Sequence, residues 1–572
     1  MNKKKLLFTI FLASFLLTNQ NINYTNANEN VNSHITTKRQ KDFSGQTLRI
    51  FNCADYINKE LIKSFEKEYL CTIIYDTYDT NETMYNQFTL QPEGYYDIIC
   101  TSEYMIQRLV REGLVEKINI EDEFPIYDEY AANLPRNKLA SLYVDTNNDQ
   151  IKDASLDDYA VGYMWGTLGI IYDPNCSDTI REDIKSWDVF WNKKYNDLIS
   201  IKNSMRDTFV VGLMHAYKGN DITNQEDILT PARETFLKEL EKAKNENEKE
   251  LARTKYNNVI QRLFDLVITE ENYIEILEII KKELISLKDN IFGFEVDSGK
   301  NDIITGKIKM NLAWSGDAVY SMKEAYDIQG KVLEYCIPED GSNVWYDGWT
   351  LPIGSNKDLA IEFIEYISTP ENAAMNMDYI GYTPFITGDE VFDLASYWYG
   401  ASKFDENVEY YQEYTDEDGY HYRASTIIYE NEYYECIKDS IGNLPTNTDY
   451  WVKKTKDELG ISDIPYDLNY LFNENMSEGK EAIIYPYNNS LNRLETQYPS
   501  VDTIARCAIM NDFENANADV VAMWSQVRTD TNMLPYYIFI SCSLAFVALF
   551  FTISIIKKSN STKNKRKLEN KK

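Results

Sequence analysis

Residues 145–153 read Asp145-Thr146-Asn147-Asn148-Asp149-Gln150-Ile151-Lys152-Asp153. Side-chain oxygens fall at positions 1, 3, 5 and 9 of this run, and Ile151 at position 7 offers a backbone carbonyl. That is the front half of a calcium loop, in which a tight turn gathers hard oxygen donors around one ion. Asp145, Asn147, Asp149, Ile151 and Asp153 are therefore candidate ligands of a structural calcium. Gln150 stands where the turn favours Gly, and Leu156 where a closing Glu belongs, so Asp157 or Asp158 would have to substitute. An Asn/Asp-rich surface turn accounts for the same residues, because such side chains bond to nearby backbone. No other cofactor is indicated. The three His are scattered, and the eight Cys form no CxxC pair, so a zinc knuckle or redox motif has no support. A hydrolase using paired carboxylates is the enzyme alternative, but the chain has no nucleophile elbow, HExxH or Gly-rich phosphate loop.

The elements that must position any site follow an α/β order. Residues 48–52 read as a strand, 58–68 as a helix, 71–75 and 96–100 as further strands, and Thr101-Ser102 as a helix start. Such alternation implies a largely parallel sheet with ligands at the carboxyl ends of its strands. It resumes after Tyr163, which predicts a second α/β lobe. Two segments read as insertions. Residues 230–289 are charged and helical, with Tyr273, Leu277, Ile280, Leu284 and Leu287 at helical spacing, and are expected to form a helical hairpin on the second lobe. Residues 390–490 are rich in Tyr, Asp and Glu, with a mixed pattern.

The ends place the chain. Residues 1–27 show the charged, apolar and small-residue order of a secretory signal. Residues 536–556 carry no charge over 21 positions, which at helical rise spans roughly 30 Å, one hydrocarbon thickness. The Lys- and Arg-rich run 557–572 follows and is expected to stay cytoplasmic. A membrane-tethered ectodomain results. Its 58 Lys and Arg against 91 Asp and Glu give a net charge of −33, which argues against nucleic acid as a partner.

Several motifs, in order, resemble one family. Asp55-Tyr56 is followed by Thr77-Tyr78-Asp79-Thr80-Asn81-Glu82-Thr83-Met84-Tyr85, then Tyr96-Asp97-Ile98-Ile99, Ser102 and Tyr104, and Arg111-Glu112-Gly113. Tyr163-Met164-Trp165-Gly166, Asn311-Leu312-Ala313-Trp314-Ser315-Gly316, Trp345-Tyr346-Asp347 and Ile380-Gly381-Tyr382-Thr383-Pro384 continue it. This sequence of motifs resembles the bacterial spermidine/putrescine-binding proteins of polyamine ABC transporters. The resemblance implies an α/β, two-lobed periplasmic-binding fold (type II-like), here with helical and mixed insertions and a C-terminal transmembrane helix. Lobe 1 would span 46–160, completed by 346–388; lobe 2 would span 161–345, with 389–530 completing it. It also implies no catalysis, no cofactor, a polyamine ligand, and delivery to ABC permease subunits driven by a cytoplasmic ATPase. A binding protein for another small cation or amine is the nearest alternative, and a membrane-bound sensor ectodomain the next.

A polyamine needs separated carboxylates for its ammonium groups and aromatic faces along its methylenes. A buried ammonium must be paired, and each cation–π contact adds about 0.5–2 kcal/mol. The positions that match the family are Asp55, Tyr56, Ser102, Tyr104, Asp207, Trp314, Trp345, Asp347 and Tyr382. Asp207 and Asp347 would be the ammonium partners. Tyr56, Tyr104, Trp314, Trp345 and Tyr382 would form an aromatic box, while Ser102 could equally cap a helix. The chain departs from the family pattern at Cys53, Ser204, Val296 and Met510, which removes one aromatic and one acidic contact.

Overall fold

The computed structural model describes residues 42–529, apart from 148, 150, 220–224, 417–420 and 473–474. It divides into two units, 1–517 and 518–572; the second holds, among the described residues, most of the helix Asn517–Thr529. No helix among the described residues is long and apolar enough to cross a membrane. Residues 1–27, 536–556 and 557–572, expected to be a signal, a membrane helix and a basic tail, lie outside them.

The first unit is built on an eleven-stranded sheet. Its principal strands are β1 (Thr47–Cys53), β2 (Thr72–Tyr78), β3 (Ile98–Ser102), β4 (Ala160–Tyr172), β5 (Ile199–Lys202), β6 (Gly293–Glu295), β7 (Met310–Trp314) and β8 (Ser342–Thr350). Their spatial order is β2-β1-β3-β8-β4-β7-β5-β6. Strands β2, β1 and β3 pair in parallel, as do β7, β5 and β6. The largely parallel order expected from the α/β alternation holds within each half and gives way at the centre, where β8 runs antiparallel to both β3 and β4, and β4 antiparallel to β7. The reason is topological. The long strands β4 and β8 carry the chain from one lobe to the other and back, so they belong to both halves and oppose each other. All 13 residues of β4 are buried, as expected of a strand covered on both faces.

The helical segment contains three long helices rather than a pair: Leu229–Lys242, Glu246–Phe264 and Tyr273–Leu287. In the third, Ile276, Leu277, Ile280, Leu284 and Leu287 are buried, and it packs on the helix Met205–Ala216. Six short strands between Gly400 and Pro486 form a separate sheet. Tyr410, Ile427, Cys436 and Trp451 form a small core beneath it. The cysteines among the described residues are all free, and Cys71, Cys100, Cys436 and Cys507 are buried.

The 145–153 run joins the two strands of a hairpin, Tyr143–Val144 and Ala154–Ser155. Asp145 Oδ1 accepts from the Asn147 amide at 3.1 Å, Asn147 Oδ1 from Asp149 at 3.0 Å, and Asp149 Oδ1 from Ile151 at 2.8 Å. Asp153 accepts from the Thr146 hydroxyl at 3.1 Å. The oxygens of Asp145, Asn147 and Asp149 are turned to backbone two residues on, the geometry of successive Asx turns. Among the described residues, no group of three or more His, Cys, Asp and Glu is arranged to hold a metal. Asp145, Asn147, Asp149, Ile151 and Asp153, the set expected for calcium, lie in this connection, with residues 148 and 150 outside the described ones.

Candidate ligand-binding site

Where the two halves of the sheet meet, a cavity of about 2210 Å³ opens. Asp55, Tyr56, Ser102, Tyr104, Asp207, Trp314, Trp345, Asp347 and Tyr382 all line it. Each comes from a strand end or from the segment just beyond one. Asp55 and Tyr56 follow β1, Ser102 ends β3, and Trp314 ends β7. Trp345 and Asp347 lie two apart on β8, so they share a face. Asp207 sits in the first turn of the helix after β5, and Tyr382 in the segment before the short strand Thr383–Pro384.

Asp347 is the centre of the arrangement. Tyr56 donates its hydroxyl to Asp347 Oδ2 at 2.6 Å, whereas Oδ1 is buried without a hydrogen-bond partner among the described residues. Burial pushes the Asp347 carboxyl up to about 6; the hydroxyls of Tyr56 and Ser102 oppose this, and the negative charge of Asp207 adds to it. Asp207 accepts from the Trp314 indole at 3.2 Å, and burial raises its pKa as well. Neither carboxylate forms an ion pair with Lys or Arg among the described residues. Tyr56 meets Tyr382 edge-on at 5.0 Å, and Trp345 lies 5.7 Å from Tyr382. The Trp345 indole nitrogen is buried and also unpartnered among the described residues.

Two expected residues also bond within the protein. Ser102 occupies the cap position of the helix Glu103–Arg111, yet its side chain does not cap it. It accepts from Asn81 Nδ2 at 2.9 Å and faces Asp347 across the β3–β8 pair. Tyr104 donates to Glu82 at 3.0 Å, and the Arg206 guanidinium lies 3.6 Å over its ring. Asp55 is exposed, in the left-handed region at φ 53°, and lies on the cavity wall.

The sequence motifs did not single out a second charged cluster. Lys202, 1% exposed at its side chain, lies 3.1 Å from Asp317 and 3.3 Å from Glu295. It donates to the Val296 carbonyl at 2.8 Å, and its ammonium stands 4.2 Å over the Trp314 ring. Burial alone would favour neutral Lys202, but Asp317 and Glu295 reverse this and hold its pKa above the usual value. Burial likewise opposes ionised Asp317, and Lys202 and Lys300 bring its pKa below the usual value. The available signal was a charged residue ending the otherwise apolar strand Ile199-Ser200-Ile201-Lys202, and an Asp directly after Gly316.

Gly316 holds Tyr382 in place. A Cβ there would fall 2.2 Å from the Tyr382 ring, closer than any packed pair allows. Gly316→Ala is therefore expected to displace the ring from Asp317, to which its hydroxyl donates at 2.8 Å. Overpacking of this kind costs about 1–3 kcal/mol. Thermal unfolding measures it, and an unchanged melting temperature would contradict the contact.

Two lobes joined by long crossover strands, with a carboxylate- and aromatic-lined cleft between them, define a protein of the solute-binding class. Residues 60–389, more than half of the chain, match the bacterial extracellular solute-binding protein family, and the chain belongs to it. It is similar to the spermidine/putrescine-binding periplasmic protein of Salmonella typhimurium, 25% identical over 340 residues that cover 59% of this chain and 76% of that protein. It is also similar to the putrescine-binding periplasmic protein of Escherichia coli K12, 22% identical over 347 residues covering 59% and 77%. The solved spermidine/putrescine transporter substrate-binding protein of Streptococcus pneumoniae matches with 24% identity and a TM-score of 0.39, over 60% of this chain and 84% of that one.

Proposed function

We propose that the protein binds a polyamine, putrescine or spermidine, in this cleft and delivers it to the permease subunits of an ABC importer powered by a cytoplasmic ATPase. The observation that carries the reading is the pairing of Asp347 and Asp207, two largely buried carboxylates without a basic ion-pair partner among the described residues, with the rings of Tyr56, Tyr382 and Trp345 around them. Buried anions of that kind call for a cation. The remaining members of the set, Asp55, Ser102, Tyr104 and Trp314, shape the walls. Melting the full chain with putrescine, spermidine, amino acids and sugars tests the reading. A ligand at 100 times its Kd stabilises by about 2.7 kcal/mol, so an amine is expected to raise the melting temperature. A rise with a sugar alone would refute the proposal.

The same carboxylate gives a pH dependence. In the empty cleft Asp347 titrates near 6, above the 3.8 of an ordinary Asp. Its contribution to the stability of the empty protein is therefore present below 3.8 and lost as pH rises through about 6. A bound ammonium reverses the preference, since it favours the carboxylate. Amine affinity is expected to fall as pH drops below 6, with proton release on binding near that pH. Titrations in buffers of different ionisation enthalpy measure this, and equal affinity at pH 5 and 8 would contradict it.

The run 536–556 supports a tether that keeps the receptor near its permease at high effective concentration. Truncation before Pro535 is expected to release the protein to the medium. Retention on the membrane would assign the anchor to residues 1–27 instead.

A further inference from the structure

We infer that Lys202 stands in, from the protein's own chain, for one ligand ammonium, and so limits the cleft to amines carrying two positive charges. The inference rests on the amine reading above and concerns which amine is taken. Two acidic groups of the cleft, Asp317–Glu295 and Asp347–Asp207, differ in the cations that face them. At the Asp317–Glu295 pole every carboxylate oxygen has a neighbour. Asp317 Oδ2 faces Lys202 at 3.1 Å, and Oδ1 accepts from Tyr382 at 2.8 Å with Lys300 at 3.5 Å. Glu295 Oε2 accepts from the Gly299 amide at 2.8 Å, and Oε1 faces Lys202 at 3.3 Å. Lys202 donates to Asp317 and the Val296 carbonyl, and its charge faces Glu295 Oε1 at 3.3 Å. It is therefore a built-in counter-ion to Asp317 and Glu295.

Lys202 also occupies an aromatic face. Its ammonium lies over Trp314 at 4.2 Å, where the ring would otherwise receive a ligand cation. Arg206 does the same at Tyr104, at 3.6 Å, with its guanidinium bonded to the carbonyls of Met510 and Asn511. At the other pole, Asp347 Oδ1 and the Trp345 indole nitrogen are buried and unpartnered among the described residues, and Asp207 accepts from the Trp314 indole, with the Ser204 side chain beside it. Two carboxylates without a Lys or Arg ion pair among the described residues call for two ammonium charges. A third ammonium would be driven against Lys202 or Arg206 in a medium where like charges repel strongly.

Calorimetric titration of the full chain with putrescine, a dication, and spermidine, a trication, tests this on wild type, Lys202→Met and Lys202→Arg. Wild type is expected to prefer putrescine by about tenfold or more. Lys202→Met leaves Glu295 and half of Asp317 without a cation, so the preference is expected to move toward spermidine by a similar factor, while Lys202→Arg keeps the wild-type order. Spermidine binding wild type as tightly as putrescine overturns the inference without need of any variant, as does an unchanged ratio in Lys202→Met. If Lys202→Met is too unstable to titrate, its melting temperature is read with each amine: selective rescue by spermidine supports the inference, and equal rescue or none overturns it. Failure of both amines to bind wild type refutes the amine reading itself, a distinguishable result.

Discussion

The Asp347→Asn variant is expected to lose most amine binding. Removing one member of a buried charged pair costs about 2–5 kcal/mol, or roughly 30- to several-thousand-fold in affinity. The substitution preserves shape, and the Tyr56 hydroxyl that donates to Asp347 at 2.6 Å keeps an acceptor in the amide oxygen. The empty variant should be no less stable than wild type at pH 7, because burial disfavours the carboxylate that is removed. Calorimetry and thermal unfolding on the same sample separate the two effects. Unchanged affinity, or loss of affinity together with unfolding, would contradict a direct ligand role for Asp347.

Lys480→Met is expected to have the largest effect on stability. Lys480, 13% exposed at its side chain, lies 2.8 Å from Asp393, 3.6 Å from Asp389 and 3.7 Å from Asp405. It ties the helix Asp389–Tyr399 to the residues that follow the strand Gly400–Lys403. Stripping a buried cation from acids it neutralises costs about 3–5 kcal/mol. Burial already pushes Asp393 up to about 6. A carboxyl raised in the folded state favours folding below its unfolded pKa and loses that contribution as pH rises through the folded value. The defect should therefore shrink as the variant is acidified from pH 7 through 6. Denaturant unfolding at pH 7 and 5 measures both, and a defect independent of pH would show that the acids around Lys480 are solvated.

The lobe that opens the chain was legible because its signals are local. The strand read at 48–52 is the centre of β1 at Thr47–Cys53, and the helix read at 58–68 is Lys59–Tyr69, capped by Asn58. The second strand runs further than its apolar core suggests, to Tyr78, because β1 pairs with it along its full length. The nine cleft positions were named from an ordered set of motifs, and they converge on one cavity although Asp55 and Tyr382 are more than 300 residues apart in sequence. Lys202 and Arg206 were missed because their partners are tertiary: a buried Lys has no period or spacing that announces Asp317 or the Val296 carbonyl. The six-stranded insertion was unreadable for a related reason. Its strands are two to five residues long, and Thr426–Tyr429 is fixed by pairing with Glu432–Cys436 on one side and Gly400–Lys403 on the other, not by an apolar alternation of its own. In the hairpin at 145–153 the alternating oxygens that suggested calcium are also the acceptors of consecutive turns.

The most direct test of the account is a calorimetric titration of the full chain at pH 7.5 with putrescine, followed by the same titration with a neutral hexose. The account predicts saturable one-to-one binding of putrescine, weakened in Asp347→Asn, and no heat of binding with the sugar. Binding of the hexose with no response to putrescine would contradict it.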